Sequence, residues 1–281
     1  MKFLTLANGV QIPQLGFGTY KVNDEKAGVE TIKAALKVGY RLIDTAQVYH
    51  NEEIVGKAIR ESGIPRKEIF ITDKVRFKNH DAVEKTIEES FKKLGTDYID
   101  LMLIHWPYGN YYEAWKVLER YYKEGKLRAI GVSNFEPGRL VDLINYAEIP
   151  PMVNQIEANI YAPRQQEIKW HEKYHVLTQV YAPLGHGTTP EILQEPKLLE
   201  IAKRHHKTPA QISIKFLLQL GVIPIPKSSN PNRIKENFDL FDFELSKEEM
   251  ESLLTISKGH RPIIGRPEDP EIVEKMYSKN E

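Results

Sequence analysis

The chain has 281 residues, 41% of them hydrophobic, enough to bury a sizeable core as one large domain or two small ones. Its formal net charge is zero, so the overall balance points neither to nucleic acid nor to an acidic membrane surface. With no cysteine, the chain can form no disulfide, no thiolate metal site and no cysteine nucleophile.

The stretch from Met1 to Leu6 lacks the long apolar core of a signal peptide, and no segment approaches membrane-spanning length. A soluble, cytoplasmic protein is expected. From Phe3 to Ile12 apolar and polar residues alternate around Asn8-Gly9, a dipeptide that favours a tight hairpin because both residues tolerate positive φ. Leu15 to Tyr20 follows as a short glycine-rich strand, and Asp24 caps a helix carrying Ala27, Val29, Ile32, Ala35 and Leu36.

A strand–helix unit then recurs. Strands are expected at Tyr40 to Thr45, Ile69 to Val75, Asp100 to Pro107, Arg128 to Asn134, Met152 to Glu157, Val176 to Pro183 and Val222 to Lys227. Helical patterns open at Asn51-Glu52-Glu53 and run over Asp81 to Leu94, Tyr112 to Lys123 and Pro137 to Tyr146. The interval before the last strand holds two helices, Pro196 to His206 and Pro209 to Leu220, each begun by a proline suited to a first turn. Ser246 to Ile256 has a capping box of Ser246 with Glu249, and the tail from Gly259 reads as irregular. Strands alternating with helices imply a parallel sheet joined by crossovers. Eight such units over this length fit a closed (β/α)8 TIM barrel, one domain spanning 1–281, with an N-terminal β-hairpin and two auxiliary helices.

In such a barrel the chemistry sits at the carboxyl ends of the strands. Those ends are Asp44, Lys74, His105, Ser133-Asn134, Gln155, Tyr181 and Lys227-Ser228. Each has a bland reading: Asp44 as a helix cap, Lys74 as a surface lysine, His105 as a satisfied core histidine, Asn134 as a turn former. Together they resist it, because successive inner strands ending in ionisable or amide groups are costly to bury without a purpose. His205-His206 at a helix end reads as a solvated or dipole-facing pair in preference to a metal site, since adjacent side chains diverge on a helix. Tyr111-Tyr112 and Tyr121-Tyr122 fit helices that pack one ring and expose the other.

Several segments, in order and at compatible spacing, resemble the aldo-keto reductase family across nearly the whole chain. They are Leu15-Gly16-Phe17-Gly18-Thr19, Gly39 to Ala46 with Tyr49 and Asn51-Glu52, Ile71-Thr72-Asp73-Lys74, Leu103-Ile104-His105-Trp106-Pro107, Gly131 to Phe135, and Ile225-Pro226-Lys227-Ser228 with Arg233 and Asn237. The resemblance implies an NADPH-dependent reduction of aldehydes or ketones, with Asp44, Tyr49, Lys74 and His105 as the catalytic tetrad. Tyr49 would be the general acid, Lys74 and Asp44 would tune it, and His105 would orient the carbonyl. An ammonium about 4 Å from a phenol at an effective dielectric near 20 favours the phenolate by roughly 4 kcal/mol, so a net lowering of the Tyr49 pKa is expected, reduced by Asp44.

The resemblance further implies that a nicotinamide carboxamide meets Ser133, Asn134 and Gln155 while its ring stacks on Tyr181. Gly18, Thr19, Tyr20, Asp44 and Leu184 would follow the cofactor's length. Lys227, Ser228, Arg233 and Asn237 come after the last strand, where barrels often bind phosphate; two cations and a hydroxyl there favour NADPH over NADH. Gly16-Phe17-Gly18-Thr19 is not the dinucleotide fingerprint, as it lacks the third glycine and the helix. Tyr20, Tyr49, His105 and Trp106 are the expected substrate contacts, with Tyr108 and tail residues as further walls. Departures from the family pattern are Tyr20 for a frequent tryptophan, Ala182 for a serine, and His186-Gly187 where serine is common. The microbial branch with diketogluconate and small-aldehyde reductases is the nearest match in kind. The expected partner is a small carbonyl compound, with no nucleic acid, membrane or metal, and the expected state is a monomer. A nucleotide-binding regulatory subunit of the same fold, and an unrelated barrel enzyme such as a phosphosugar isomerase, are the competing readings.

Overall fold

The computed structural model describes residues 2–185, 190–257 and 267–278. An antiparallel hairpin, β1 (Phe3–Thr5) and β2 (Gln11–Pro13), turns at Asn8-Gly9, where Gly9 takes φ +85°. Its apolar face buries Leu6, Ile12 and Leu15, while Asn8 Nδ2 donates to the Arg128 carbonyl at 2.9 Å, at the amino end of the barrel. The hairpin therefore plugs the end opposite the expected site.

Eight parallel strands follow: β3 (Gly16–Gly18), β4 (Leu42–Asp44), β5 (Phe70–Val75), β6 (Leu101–Ile104), β7 (Ile130–Ser133), β8 (Val153–Glu157), β9 (Leu177–Tyr181) and β10 (Ile223–Pro224). They pair in sequence order from β3 to β10. The seam between the first and last is closed by one hydrogen bond, Gly18 N to Pro226 O at 3.1 Å. A Cβ at Gly18 would come within 3.3 Å of Ile225, so the close approach at the seam favours glycine. The strands are shorter than the sequence pattern suggested: each loses a residue or two at its amino end, and all but β5 and β8 also leave the ladder at their carboxyl ends, where the loops of the cleft begin.

The helices are α1 (Glu25–Val38), α2 (Glu52–Glu61), α3 (Val83–Leu94), α4 (Tyr111–Lys123), α5 (Pro137–Tyr146), α6 (Gln165–Lys173), α7 (Pro196–His205), α8 (Pro209–Gln219), α9 (Pro231–Phe238), α10 (Lys247–Leu254) and α11 (Pro270–Ser278). The expected caps are present: Asp24 accepts from Ala27 N at 2.7 Å, and Ser246 and Glu249 form the reciprocal capping box. The helix expected from Asp81 starts at Val83, after a 3-10 stretch over Phe77–Ala82. Tyr111 and Tyr121 are buried and Tyr112 and Tyr122 only partly so, as the helix pattern required. His205 Nε2 meets Glu249 Oε2 at 2.8 Å.

The tail requires a correction. It is not irregular throughout: Pro270–Ser278 is helical, and its Val273 and Met276 pack on Phe77, Trp106 and Tyr108. Tyr277 accepts a hydrogen bond from Gly109 N at 3.0 Å, which fixes α11 beside the carboxyl end of the barrel. The tail residues before Pro267, and His186-Gly187, lie outside the described residues.

Candidate active site

The carboxyl ends of the strands open into a cleft of about 700 Å³, within the range of small-molecule sites. Its lining includes Gly18, Tyr20, Asp44, Tyr49, His105, Trp106, Ser133, Asn134, Gln155, Tyr181, Leu184 and Lys227. Most of the expected site residues are thereby brought together. Lys74 lies just beneath, with its side chain fully buried.

Alternation along the strands places the pair at the floor. Asp44 ends β4, and Lys74 is the next-to-last residue of β5. Register pairs Asp44 with Thr72, so Lys74, two residues on, points to the same face. Lys74 Nζ donates to Asp44 Oδ1 at 2.6 Å and to the Thr45 carbonyl at 2.7 Å. The other carboxylate oxygen, Oδ2, accepts from Gln155 Nε2 at 2.7 Å. Asp44 is thus a buried, fully engaged partner of Lys74 and does not cap a helix.

Tyr49 comes from a 3-10 turn, Gln47–Tyr49, that follows β4. Asn51, which sits before α2 without capping it, holds this turn: its Nδ2 donates to Thr19 O at 2.8 Å and its Oδ1 accepts from Thr45 Oγ1 at 2.7 Å. Thr19 itself donates through Oγ1 to Asp44 O at 2.9 Å, so it braces the floor from below instead of lining the cleft. Lys74 Nζ stands 5.1 Å from the centre of the Tyr49 ring. The Tyr49 and His105 rings meet edge to face at 5.9 Å, and Tyr20 lies against Tyr49 at 5.1 Å.

The electrostatics overturn one expectation. Tyr49 is not lowered: burial pushes its pKa well above 10.0, and the carboxylate of Asp44 adds to the rise. The ammonium that should favour the phenolate is bound at 2.6 Å by that carboxylate, and the phenol has lost its water. His105 moves the other way. Burial, and then the charge on Lys74, hold its pKa well below 6.5, so the imidazole is neutral at neutral pH.

A second network spans the far wall. Tyr181 OH donates to Asn134 Oδ1 at 2.8 Å; Asn134 Nδ2 donates to the His105 carbonyl at 3.1 Å and to Ser133 Oγ at 3.2 Å. Ser133 Oγ donates to Gln155 O at 2.9 Å, and Gln155 Nε2 also reaches Gln179 Oε1 at 3.0 Å. Asn134 and Ala182 adopt left-handed backbone, φ 62° and 53°, where an alanine is strained.

At the seam, Lys227 lines the cleft while Ser228 Oγ accepts from Asn230 N at 3.1 Å. Asn230 caps α9 by accepting from the backbone N–H groups of Asn232 and Arg233, at 2.9 and 3.3 Å. Arg233 therefore stands on the first turn of α9, beyond the cleft proper, and Asn237 is buried on the same helix. The lining also includes Lys21, Arg76, Phe77 and Lys78, which sequence reasoning did not assign, and Ile272, Lys275 and Met276 from the tail expected as a further wall. The apolar spacing of Ile272, Val273 and Met276 is a helical signal that could have found α11.

Residues 14–258 match the sequence profile of the Aldo/keto reductase family. The chain is 43% identical to a 9,11-endoperoxide prostaglandin H2 reductase of Trypanosoma cruzi, covering 95% of each. It is 44% identical to a glyoxal reductase of Bacillus subtilis, over 91% of this chain and 93% of that one. A solved Bombyx mori aldo-keto reductase in complex with NADP superposes with a TM-score of 0.88 at 34% identity, over 92% and 94% of the two chains.

Proposed function

The chain belongs to the aldo-keto reductase family, and from that premise we propose that it reduces small aldehydes and ketones to alcohols with NADPH, Tyr49 giving the proton. The observation that carries the reading is the buried Asp44–Lys74 pair set beneath Tyr49, with a neutral His105 beside the phenol.

The residues present suit a nicotinamide dinucleotide. Tyr181 offers an aromatic wall, the side chains of Ser133, Asn134 and Gln155 offer hydrogen-bond partners, and burial, with the charge of Lys21 nearby, holds the Lys227 ammonium below its usual range, a setting that favours an anion. Lys227, Ser228 and Arg233 at the start of α9 suit a phosphate at the ribose, which is the ground for NADPH over NADH. When bound, the nicotinamide supplies the hydride.

The chain's own residues supply the rest. A carbonyl oxygen between Tyr49 and His105 gains negative charge as hydride reaches its carbon. His105, neutral, donates an N–H to that oxygen, and Tyr49 transfers its phenolic proton to it. Its raised pKa keeps Tyr49 protonated and loaded at neutral pH. The phenolate left behind lies 5.1 Å, ring centre to Nζ, from the ammonium of Lys74, which Asp44 and the Thr45 carbonyl hold in place. In oxidation the same steps run backwards, with the phenolate as base. Trp106, Phe77 and Met276 wall the cleft and limit water.

The reading takes the protein as a cytoplasmic monomer acting on a small carbonyl compound; among the described residues no helix is long and apolar enough to cross a membrane. The family match removes the unrelated-isomerase reading. The test follows nicotinamide absorbance with methylglyoxal and a generic aldehyde. Steady NADPH consumption supports the reading; NADPH binding without turnover supports the regulatory-subunit reading instead.

A further inference from the structure

Behind the floor of the cleft, on the outer face of β5, lies a second set of buried carboxyls. Alternation turns Asp73 away from the Lys74 side chain and toward α2 and α3; Asp73 and Glu52, the first residue of α2, are at most 1% exposed. β4 pairs with β5 only as far as Asp44 and Thr72, and the Lys74 N–H beyond that pair donates to Asp73 Oδ1 at 2.8 Å. The cations bonded into this region are already engaged, Lys74 by Asp44 and Lys93 of α3 by Glu52 Oε2 at 3.0 Å. Asp73 Oδ2 and Glu52 Oε1 are left without a hydrogen-bond partner among the described residues. An ionised carboxylate so placed, beside a second one, is costlier than a neutral acid. Burial and the charge of Glu52 accordingly hold the Asp73 pKa well above 3.8, against the opposing pull of Lys74 and Ser90. Glu89, also on α3, adds negative charge at Lys93, and Met102, opposite Asp73 on β6, adds none.

The same carboxyl is tied to the turn that carries Tyr49. Ser90 of α3 faces Asp73, and its Oγ accepts from Gln47 Nε2 at 3.2 Å. Gln47 opens the 3-10 turn Gln47–Tyr49, and its Oε1 accepts from Arg76 N, two residues past Lys74, at 3.2 Å. A charge on Asp73 acts on Tyr49 in the same sense as the charge on Asp44, disfavouring the phenolate. We propose that Asp73 is a positioning residue of this reductase: as a neutral acid it ties the Lys74 backbone to the Tyr49 turn and keeps a second negative charge away from the phenolate that the reaction leaves. The inference rests on the reductase reading and adds a residue to it.

The test combines infrared spectra of the full-length protein with single-turnover oxidation of bound NADPH by saturating methylglyoxal. At neutral pH the spectrum of the intact protein minus that of Asp73→Asn should show the carbonyl-stretch band of a protonated carboxylic acid. Absence of that band overturns the proposal whatever the turnover. Asp73→Leu gives the Lys74 N–H no acceptor and should slow the single turnover about ten-fold or more, with NADPH affinity kept. Asp73→Asn keeps the acceptor without the charge and should recover most of that loss. Ser90→Ala cuts the link to Gln47 and should slow the step roughly two- to ten-fold, a milder variant that decides the matter if Asp73→Leu does not fold. A rate unmoved in Ser90→Ala, or one as slow in Asp73→Asn as in Asp73→Leu, overturns the proposal and leaves the reductase reading in place. An intact protein that shows the band and oxidises no NADPH overturns the reductase reading, and this role with it.

Discussion

Lys74 Nζ lies 2.6 Å from Asp44 Oδ1, and neither side chain is more than 6% exposed. Taking either partner alone leaves the other charged and buried, a loss of about 3–5 kcal/mol, whereas removing both costs much less. Lys74→Met and Asp44→Asn should each destabilise the fold by roughly that amount in denaturant titrations. The double variant should recover most of the stability and none of the turnover. Turnover that returns with stability would mean the pair serves only the fold.

The start of α9 gives a cofactor prediction. If Arg233 meets a ribose phosphate, Arg233→Ala removes a charge-assisted hydrogen bond of about 1.5 kcal/mol, roughly ten-fold in affinity. Fluorescence titration at low salt should show NADPH weakened about ten-fold and NADH unchanged. Equal effects on both would remove the basis for preferring the phosphorylated cofactor.

Acid should destabilise the protein. Burial lowers the pKa of His80 from 6.5 to about 4, that of His171 from 6.5 to about 3, and that of His105 well below 6.5. In each case the unfolded chain binds the proton first. Stability is therefore fully present above pH 6.5 and is lost as pH falls from there toward the folded values, by about 1.4 kcal/mol per unit for each histidine. Asp73 works in the opposite direction, since burial and the nearby Glu52 raise its pKa well above 3.8. Below pH 6.5 the melting temperature should therefore fall, and His171→Gln should flatten the slope by one histidine's share. An unchanged slope would show that His171 does not titrate in this way.

Much of the fold was legible because the barrel repeats one signal. Buried strand, polar end and amphipathic helix recur, and the polar ends Asp44, Lys74, His105, Ser133 and Tyr181 mark the site directly. Short elements escaped. The nine-residue α6 and the eight-residue α9 give little periodicity, and α11 follows a Pro- and Gly-rich stretch that masks its apolar spacing. The direction of the Tyr49 shift was not legible either. It depends on how much water the phenol loses and on how closely Asp44 neutralises Lys74, and neither is written in residue types.

The brace formed by Asn51 was likewise hidden, since an asparagine before a helix reads as a cap. Here its amide joins Thr19 to Thr45 across two loops. The signal that could have found it is the pair of threonines at strand ends, which need partners when buried.

The central claim is that the Tyr49 hydroxyl supplies the proton that accompanies hydride. Tyr49→Phe deletes that hydroxyl and keeps the ring that packs on Tyr20 and His105. Single-turnover absorbance of bound NADPH with methylglyoxal measures the step directly. The account predicts that cofactor affinity stays near that of the intact protein while NADPH oxidation falls at least a hundred-fold, in line with the roughly 10²–10⁴-fold that a positioned acid contributes. Oxidation at close to the normal rate would contradict it.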